Sequence, residues 1–225
     1  DLTEMTRAAL DVLSRNENGF FLMVEAGLID KFSHPIDWER SVYDTIMLDQ
    51  TVAIAKEFAA KNNDTLVLVT ADHSHGMSII GTIDDKIQTA NMRDKIGTYA
   101  DAGYPNYVDA NKDGYPDRVD VSKRLAIFYN NFPDYYETFE PKLDNPFVPA
   151  VAGSKPGTYV ANEAYKTVAG AVFREGNLPH NANTGVHTAD DVVLTAIGPG
   201  AERVHGFMDN TEVFRVIANA LALGE

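Results

Sequence analysis

The sequence predicts an α/β fold on a central, mostly parallel sheet with a loop-rich insertion, and three observations predict it. First, the apolar runs F-F-L-M-V (residues 20–24) and T-L-V-L-V-T (residues 65–70) read as strands buried on both faces. Second, residues 38–61 between them carry Ile46, Val52, Ala53, Ile54 and Phe58 along a helical stretch, and a strand–helix–strand unit of this length joins parallel strands by a right-handed crossover. Third, the rhythm stops over residues 84–183, which hold eight of the ten prolines and most of the tyrosines.

Each element follows from local chemistry. Met5, Ala8, Ala9, Val12 and Leu13 give residues 3–15 a helical face, with Glu4 near the start where the helix dipole favours it. Asn16 to Gly19 is a turn. Pro35 pushes His34 away from the α region, and with Gly27 it makes residues 27–35 read as a loop at a strand end. Asp37 can cap the helix that follows. Met77–Gly81 reads as a further strand, and short helices are expected near 122–131 and 161–174. The alternation returns with a strand over Asp191–Gly198 and a closing helix over Asn210–Leu223, capped by Asn210.

Composition narrows the function. The 225 residues, 44% hydrophobic and 23% charged, suffice for one substantial core or one domain with a large insertion. No apolar run approaches the ~18 residues of a membrane span. A net charge of −14 argues against a nucleic-acid partner, since phosphate backbones need basic patches. The absence of cysteine removes disulfides, thiolate zinc sites and cysteine nucleophiles. No signal peptide is visible in the opening D-L-T-E-M-T-R, which reads as a mature or cut segment.

Oxygen and nitrogen donors gather in three short stretches. V-E-A-G-L-I-D-K-F-S-H carries Glu25, Asp30 and His34; T-A-D-H-S-H carries Asp72, His73 and His75; G-V-H-T carries His187. A lone D-x-x-x-H is as often a solvated loop as a ligand pair, but Glu25 ends an apolar run, where a carboxylate is seldom buried unless paired or metal-bound. Asp72 and His73 directly follow a strand, so both can point out of one sheet edge, where open α/β sheets bind ligands. His75 can orient a ligand carboxylate as an outer donor. Carboxylate and imidazole without thiolate suit Zn²⁺, Mg²⁺ and Mn²⁺, and the set points to a hydrolytic metal site. His180 and His205 fit structural turns.

At these residues the sequence resembles the C-terminal half of the alkaline phosphatase family. The likeness runs through F-F-L-M-V-E-A-G-L-I-D, T-I-M-L-D-Q-T-V-A, T-L-V-L-V-T-A-D-H-S-H and V-H-T-A-D-D-V followed by G-P-G-A, over roughly residues 1–83 and 184–223. The resemblance implies a three-layer αβα catalytic domain from residues 1–83 and 184–225, with residues 84–183 as a crown-like insertion. It implies two zinc ions and one Mg²⁺. Asp30, His34 and His187 resemble the ligands of one zinc, Asp72 and His73 two ligands of the other, and Glu25 the Mg²⁺ ligand. Lys31 resembles a residue that meets phosphate through water, and Ala26 replaces a common glycine. The implied activity is phosphate monoester hydrolysis through a phosphoserine intermediate, with phosphodiester or sulfate ester hydrolysis as the alternatives within the superfamily. The expected partners are the substrate, the N-terminal portion of the same enzyme and, in a homodimer, a second copy. No D-S-A or D-S-x-G stretch that would carry the nucleophilic serine occurs among these residues, so the chain alone is expected to be inactive.

D-A-N-K-D-G-Y-P-D-R-V-D, residues 109–120, fits a calcium loop with Asp109, Asn111, Asp113, the Tyr115 carbonyl, Asp117 and Asp120 as ligands and Gly114 at the sharp turn. It resembles the D-x-N-x-D-G-x-P-D loops of thrombospondin type 3 and dockerin-like repeats, and Asp120 in place of Glu shortens the last ligand's reach. Such residues also build acidic turns without metal. Bound Ca²⁺ favours a periplasmic or secreted location, and a calcium-stabilised binding module without catalysis is the competing class. If the loop holds Ca²⁺, a calcium-selective chelator lowers the melting temperature, because the ion stabilises the state that binds it. Asp109→Ala with Asp113→Ala should abolish that response, and identical melting with and without millimolar calcium would leave only an acidic turn.

Overall fold

The computed structural model describes residues 1–102, 110–111, 123–140, 142 and 145–223. They form two compact units: residues 1–29, 42–74 and 189–225 make the first, and residues 30–41 and 75–188 the second. The chain passes between them four times.

The first unit opens with α1 (Leu2–Leu13) on a capping box: Asp1 accepts the Glu4 N–H at 2.9 Å, and Glu4 takes the terminal amine at 2.7 Å. After α2 (Leu28–Ser33) comes α3 (Trp38–Asn62), most of which lies in this unit, with Phe58 edge-on to Phe20 at 6.0 Å. Strand β1 (Val67–Thr70) pairs with Leu194–Ile197, the last strand of the chain. The closing helix α4 (Asn210–Ala220) is capped by Asp209, one residue before the expected Asn210, and the Glu212 carboxylate accepts the Asp209 N–H at 2.8 Å.

Two expectations fail here. Residues 20–26 adopt no helix or strand, with Phe21 59% and Met23 76% exposed. An apolar run signals burial, but a strand exists only where a neighbour completes its ladder. The ladder that does form is antiparallel, with Val67 opposite Ile197 and Thr70 opposite Leu194, so the expected parallel pair is replaced by a return from the far end of the chain. Every strand pairing among the described residues is antiparallel.

The second unit is built on a three-stranded antiparallel sheet. Strand β2 (Met77–Asp84) lies between β3 (Ile96–Thr98) and β4 (Lys123–Tyr129), with a bulge between Ile79 and Gly81. The helix expected near 122–131 is therefore a strand: K-R-L-A-I-F-Y can take either period, and seven paired positions with β2 decide it. The helix expected over 161–174 is reduced to a single 3₁₀ turn at Glu163–Tyr165. Four three-residue strands complete the unit, β5 (Tyr135–Glu137) with β8 (Val172–Arg174) and β6 (Ala150–Ala152) with β7 (Tyr159–Ala161); Leu194–Ile197 is then β9. Its core is aromatic: Ile36, Tyr129, Phe132, Tyr135 and Phe147, flanked by Trp38 and Tyr165.

Gly198 closes β9 at φ 99°, and a Cβ there would lie 2.1 Å from the Thr65 carbonyl oxygen. Gly198→Ala therefore meets both a backbone clash and a left-handed φ. It should cost more than ~1 kcal/mol in urea unfolding, and an unchanged midpoint would show that the β1–β9 end can give way.

Candidate metal centre

Asp30 and His34 sit on and just beyond α2, not in the loop expected from Pro35. The proline restricts only the residue before it, and the turn is completed by the His34 N–H to the Asp30 carbonyl at 3.1 Å. The i, i+4 spacing then places both side chains on one face. His75 precedes β2, and His187 lies on the segment that ends the second unit.

These four side chains meet. Asp30 Oδ1 lies 2.8 Å from His75 Nε2 and 3.2 Å from the Nε2 atoms of both His34 and His187. The two latter nitrogens are themselves 3.2 Å apart. On the other oxygen, Asp30 Oδ2 accepts from the Lys31 ammonium at 2.8 Å. His34 Nδ1 lies 2.8 Å from the Gly185 carbonyl oxygen, which can only accept. Nδ1 therefore carries a proton, and Nε2 is the ring atom turned toward the Asp30 carboxylate and the His187 nitrogen. One carboxylate oxygen and two imidazole nitrogens this close together form a donor set that a cation can bridge.

The electrostatics agree with such a centre. Burial works against ionisation of Asp30, but hydrogen bonds from Lys31 and His75 and the charge of His34 outweigh it and hold the carboxyl well below its usual range. Burial pushes the His75 ring below its ordinary 6.5, opposed by its bond to Asp30 and reinforced by His34 and His187. His75 is therefore neutral at pH 7. Gly76 must be small: a Cβ would stand 2.8 Å from Asn130 Nδ2 and 2.9 Å from Thr188 Cγ2.

Asp72 and His73 lie in the first unit just after β1, with Oδ2 and Nε2 3.5 Å apart and the Asp72 side chain 89% exposed. Glu25 is exposed in the same unit. Of the expected calcium ligands only Asn111, which is exposed, is among the described residues; Asp109, Asp113, Tyr115, Asp117 and Asp120 lie outside them. Sequence reading passed over Tyr129, Asn130 and Asn131. The signal was a short continuous apolar run, L-A-I-F-Y, closing on N-N-F-P, turn residues that a strand assignment over 123–129 would have brought forward.

The alkaline phosphatase family model matches residues 1–223. The chain belongs to that family. Among alkaline phosphatases, it is 30% identical over 227 residues to alkaline phosphatase 3 of Bacillus subtilis, covering 98% of this chain and 44% of that one. It is 25% identical over 228 residues to the Gadus morhua enzyme, all of this chain against 39% of that one. With the Escherichia coli enzyme the identity reaches 47%, over 79 residues. A mutant of TAB5 alkaline phosphatase, solved with Mg bound, superposes with a TM-score of 0.51 at 19% identity, covering 98% of this chain and 41% of that one. The fold is thus alkaline-phosphatase-like α/β, and the chain spans less than half the length of each of these relatives. No helix among the described residues is long and apolar enough to cross a membrane.

The lowered pKa of His75 has a consequence for stability. Because the folded ring binds its proton more weakly than the unfolded one, its contribution is present above pH 6.5 and is lost as pH falls through the folded value. In the metal-free chain the urea midpoint should drop between pH 8 and pH 5, and His75→Gln should make that slope shallower. Equal slopes in the two proteins would exclude His75 as the source.

Proposed function

We propose that this chain supplies metal-holding side chains to an enzyme that hydrolyses phosphate monoesters through a phosphoserine intermediate. The observation that carries the reading is the convergence of His34 and His187 Nε2 on Asp30 Oδ1, all three within 3.2 Å of one another. Tetrahedral zinc with nitrogen ligands at ~2.0 Å sets its donors about 3.3 Å apart, which the donor set fits. In this reading Asp30, His34 and His187 hold one zinc, Asp72 and His73 contribute to a second, and Glu25 to Mg²⁺. When bound, such ions polarise phosphoryl oxygens and lower the pKa of a hydroxyl or water.

The chain's own residues prepare that chemistry. Gly185 holds the His34 ring in the tautomer that leaves Nε2 as donor. His75, on the same carboxylate oxygen, keeps Asp30 aimed. Lys31, its side chain 70% exposed, offers a cation to an incoming phosphate. Ligand imidazoles must be neutral, so metal affinity and activity rise toward alkaline pH. The calcium loop and a periplasmic or secreted location belong to the same reading.

His187→Ala in the complete enzyme should weaken zinc binding and phosphatase activity by orders of magnitude, and wild-type zinc content with wild-type turnover would reject the assignment. The nucleophile of this reading comes from outside residues 1–225. These residues alone should leave an aryl phosphate unhydrolysed, with activity restored by adding the serine-bearing portion; zinc-dependent turnover by these residues alone would refute that part.

A further inference from the structure

Three separated segments carry the four converging side chains, and three consecutive residues, Tyr129 to Asn131, touch all three segments. The Tyr129 hydroxyl donates to Ser33 Oγ at 3.0 Å, next to His34. The Asn130 N–H donates to the Gly76 carbonyl at 2.7 Å, next to His75, and Asn130 Oδ1 accepts from Ser78 at 2.8 Å. Asn131 then grips the backbone of Val186, next to His187: its Oδ1 accepts the Val186 N–H at 2.7 Å, and its Nδ2 donates to the Val186 carbonyl at 3.1 Å. The Phe132 N–H donates to Asn177 Oδ1 at 3.1 Å while Asn177 Nδ2 donates to the Asn130 carbonyl at 2.7 Å, so the tract is itself held from behind.

The contact at Val186 differs from the other two. No secondary-structure ladder holds residues 183–187, and His187 is exposed. Among the bonds that tie this stretch down are the Gly185 N–H to the His34 carbonyl at 2.7 Å, the His34 ring to the Gly185 carbonyl, and the two Asn131 bonds. A primary amide presents one donor and one acceptor side by side, so Asn131 takes both polar groups of Val186 as a neighbouring strand would. Its position leaves little room for drift: a Cβ on Gly185 would already lie 3.3 Å from the Asn131 carbonyl oxygen.

We propose that Asn131 is a positioning residue that sets where the His187 imidazole stands. The role in metal binding rests on the function proposed above; the role in placing His187 does not. Asn131 touches neither metal nor substrate in this assignment and acts through the backbone of Val186.

The test compares wild type, Asn131→Ala, Asn131→Asp and Asn162→Ala, the last a control that loses the Asn162 bond to the Val148 carbonyl elsewhere in the same unit. Two readouts need no metal: amide exchange at Val186 and the ring resonances of His187. In Asn131→Ala the Val186 amide should exchange about fivefold faster or more, and the His187 resonances should shift. In Asn131→Asp, which keeps the acceptor, the Val186 amide should stay protected. Both sites should be unchanged in Asn162→Ala. The third readout is Zn²⁺ affinity by chelator competition, which should weaken by about 10- to 100-fold in Asn131→Ala and remain at the wild-type value in Asn162→Ala. Unchanged Val186 exchange and His187 resonances in Asn131→Ala would overturn the proposal, as would an equal zinc loss in Asn162→Ala. A wild-type chain that binds no zinc would reject the metal assignment alone, and the two metal-free readouts would still decide the placement of His187.

Discussion

A helix of six residues is far below the ~12 that hold together alone in water, so the separation of Asp30 and His34 depends on what is packed at the end of α2. Ser33 is the anchor. Its buried hydroxyl lies 3.0 Å from both the Ser41 and the Tyr129 hydroxyl oxygens. The next N–H groups fold back, Ile36 to the Ser33 carbonyl and Asp37 to the Phe32 carbonyl, both at 2.9 Å. Ile36 makes that reversal at φ 58°, a left-handed conformation a β-branched residue resists at a cost of about 1–3 kcal/mol. Its side chain is only 5% exposed within the aromatic core, and burying an isoleucine contributes ~1.5–3 kcal/mol. The two terms are of one size, so packing offsets the strain.

Behind that turn lies a buried set of charges. Asp37, 1% exposed, pairs with Arg40, whose guanidinium also donates to the carbonyls of Lys142 and Asn145. Glu39 accepts the Lys142 N–H at 2.6 Å. Burial pushes the Glu39 carboxyl above its ordinary range, and Lys142 and Arg124 pull it back. Lys142 in turn lies 3.5 Å from Glu137, which also takes the Tyr135 hydroxyl. Such groups add little net stability, but removing one partner strands the other at ~3–5 kcal/mol. They therefore specify: these pairings fix how Glu137 and Lys142 lie against the start of α3.

Much of this was legible in the chain. The donors that meet at Asp30, His34 and His187 were visible as carboxylate and imidazoles in short motifs, and helices α1 and α4 because their apolar residues keep helical spacing; α3 has little one-sided apolar pattern and was read from apolar residues spread along it. What could not be read was anything decided by a distant partner. The apolar run at 20–24 is silent on whether a neighbour completes its ladder. K-R-L-A-I-F-Y changes from helix to strand only because β2 is there to pair with it. The sequence could place Asn131 at a strand end but not its partner: its contact is with Val186, fifty-five residues on, and a dipeptide of asparagines there looks like any turn.

The two-stranded ladder of β1 and β9 has an implication for handling the protein. Among the described residues each strand pairs on one side, and the apolar residues Val193, just before β9, and Ile197, at its end, are 77% and 41% exposed. Backbone amides and carbonyls along such an edge are a template for another strand, and an exposed apolar fringe favours docking from solution. The opposing factor is the net charge of −14, which keeps copies apart by repulsion whose range shrinks from ~30 Å at 0.01 M salt to ~3 Å at 1 M. Ionic strength thus bears on the colloidal behaviour of these 225 residues: dilute buffer leaves the repulsion between copies long-ranged, and high salt screens it.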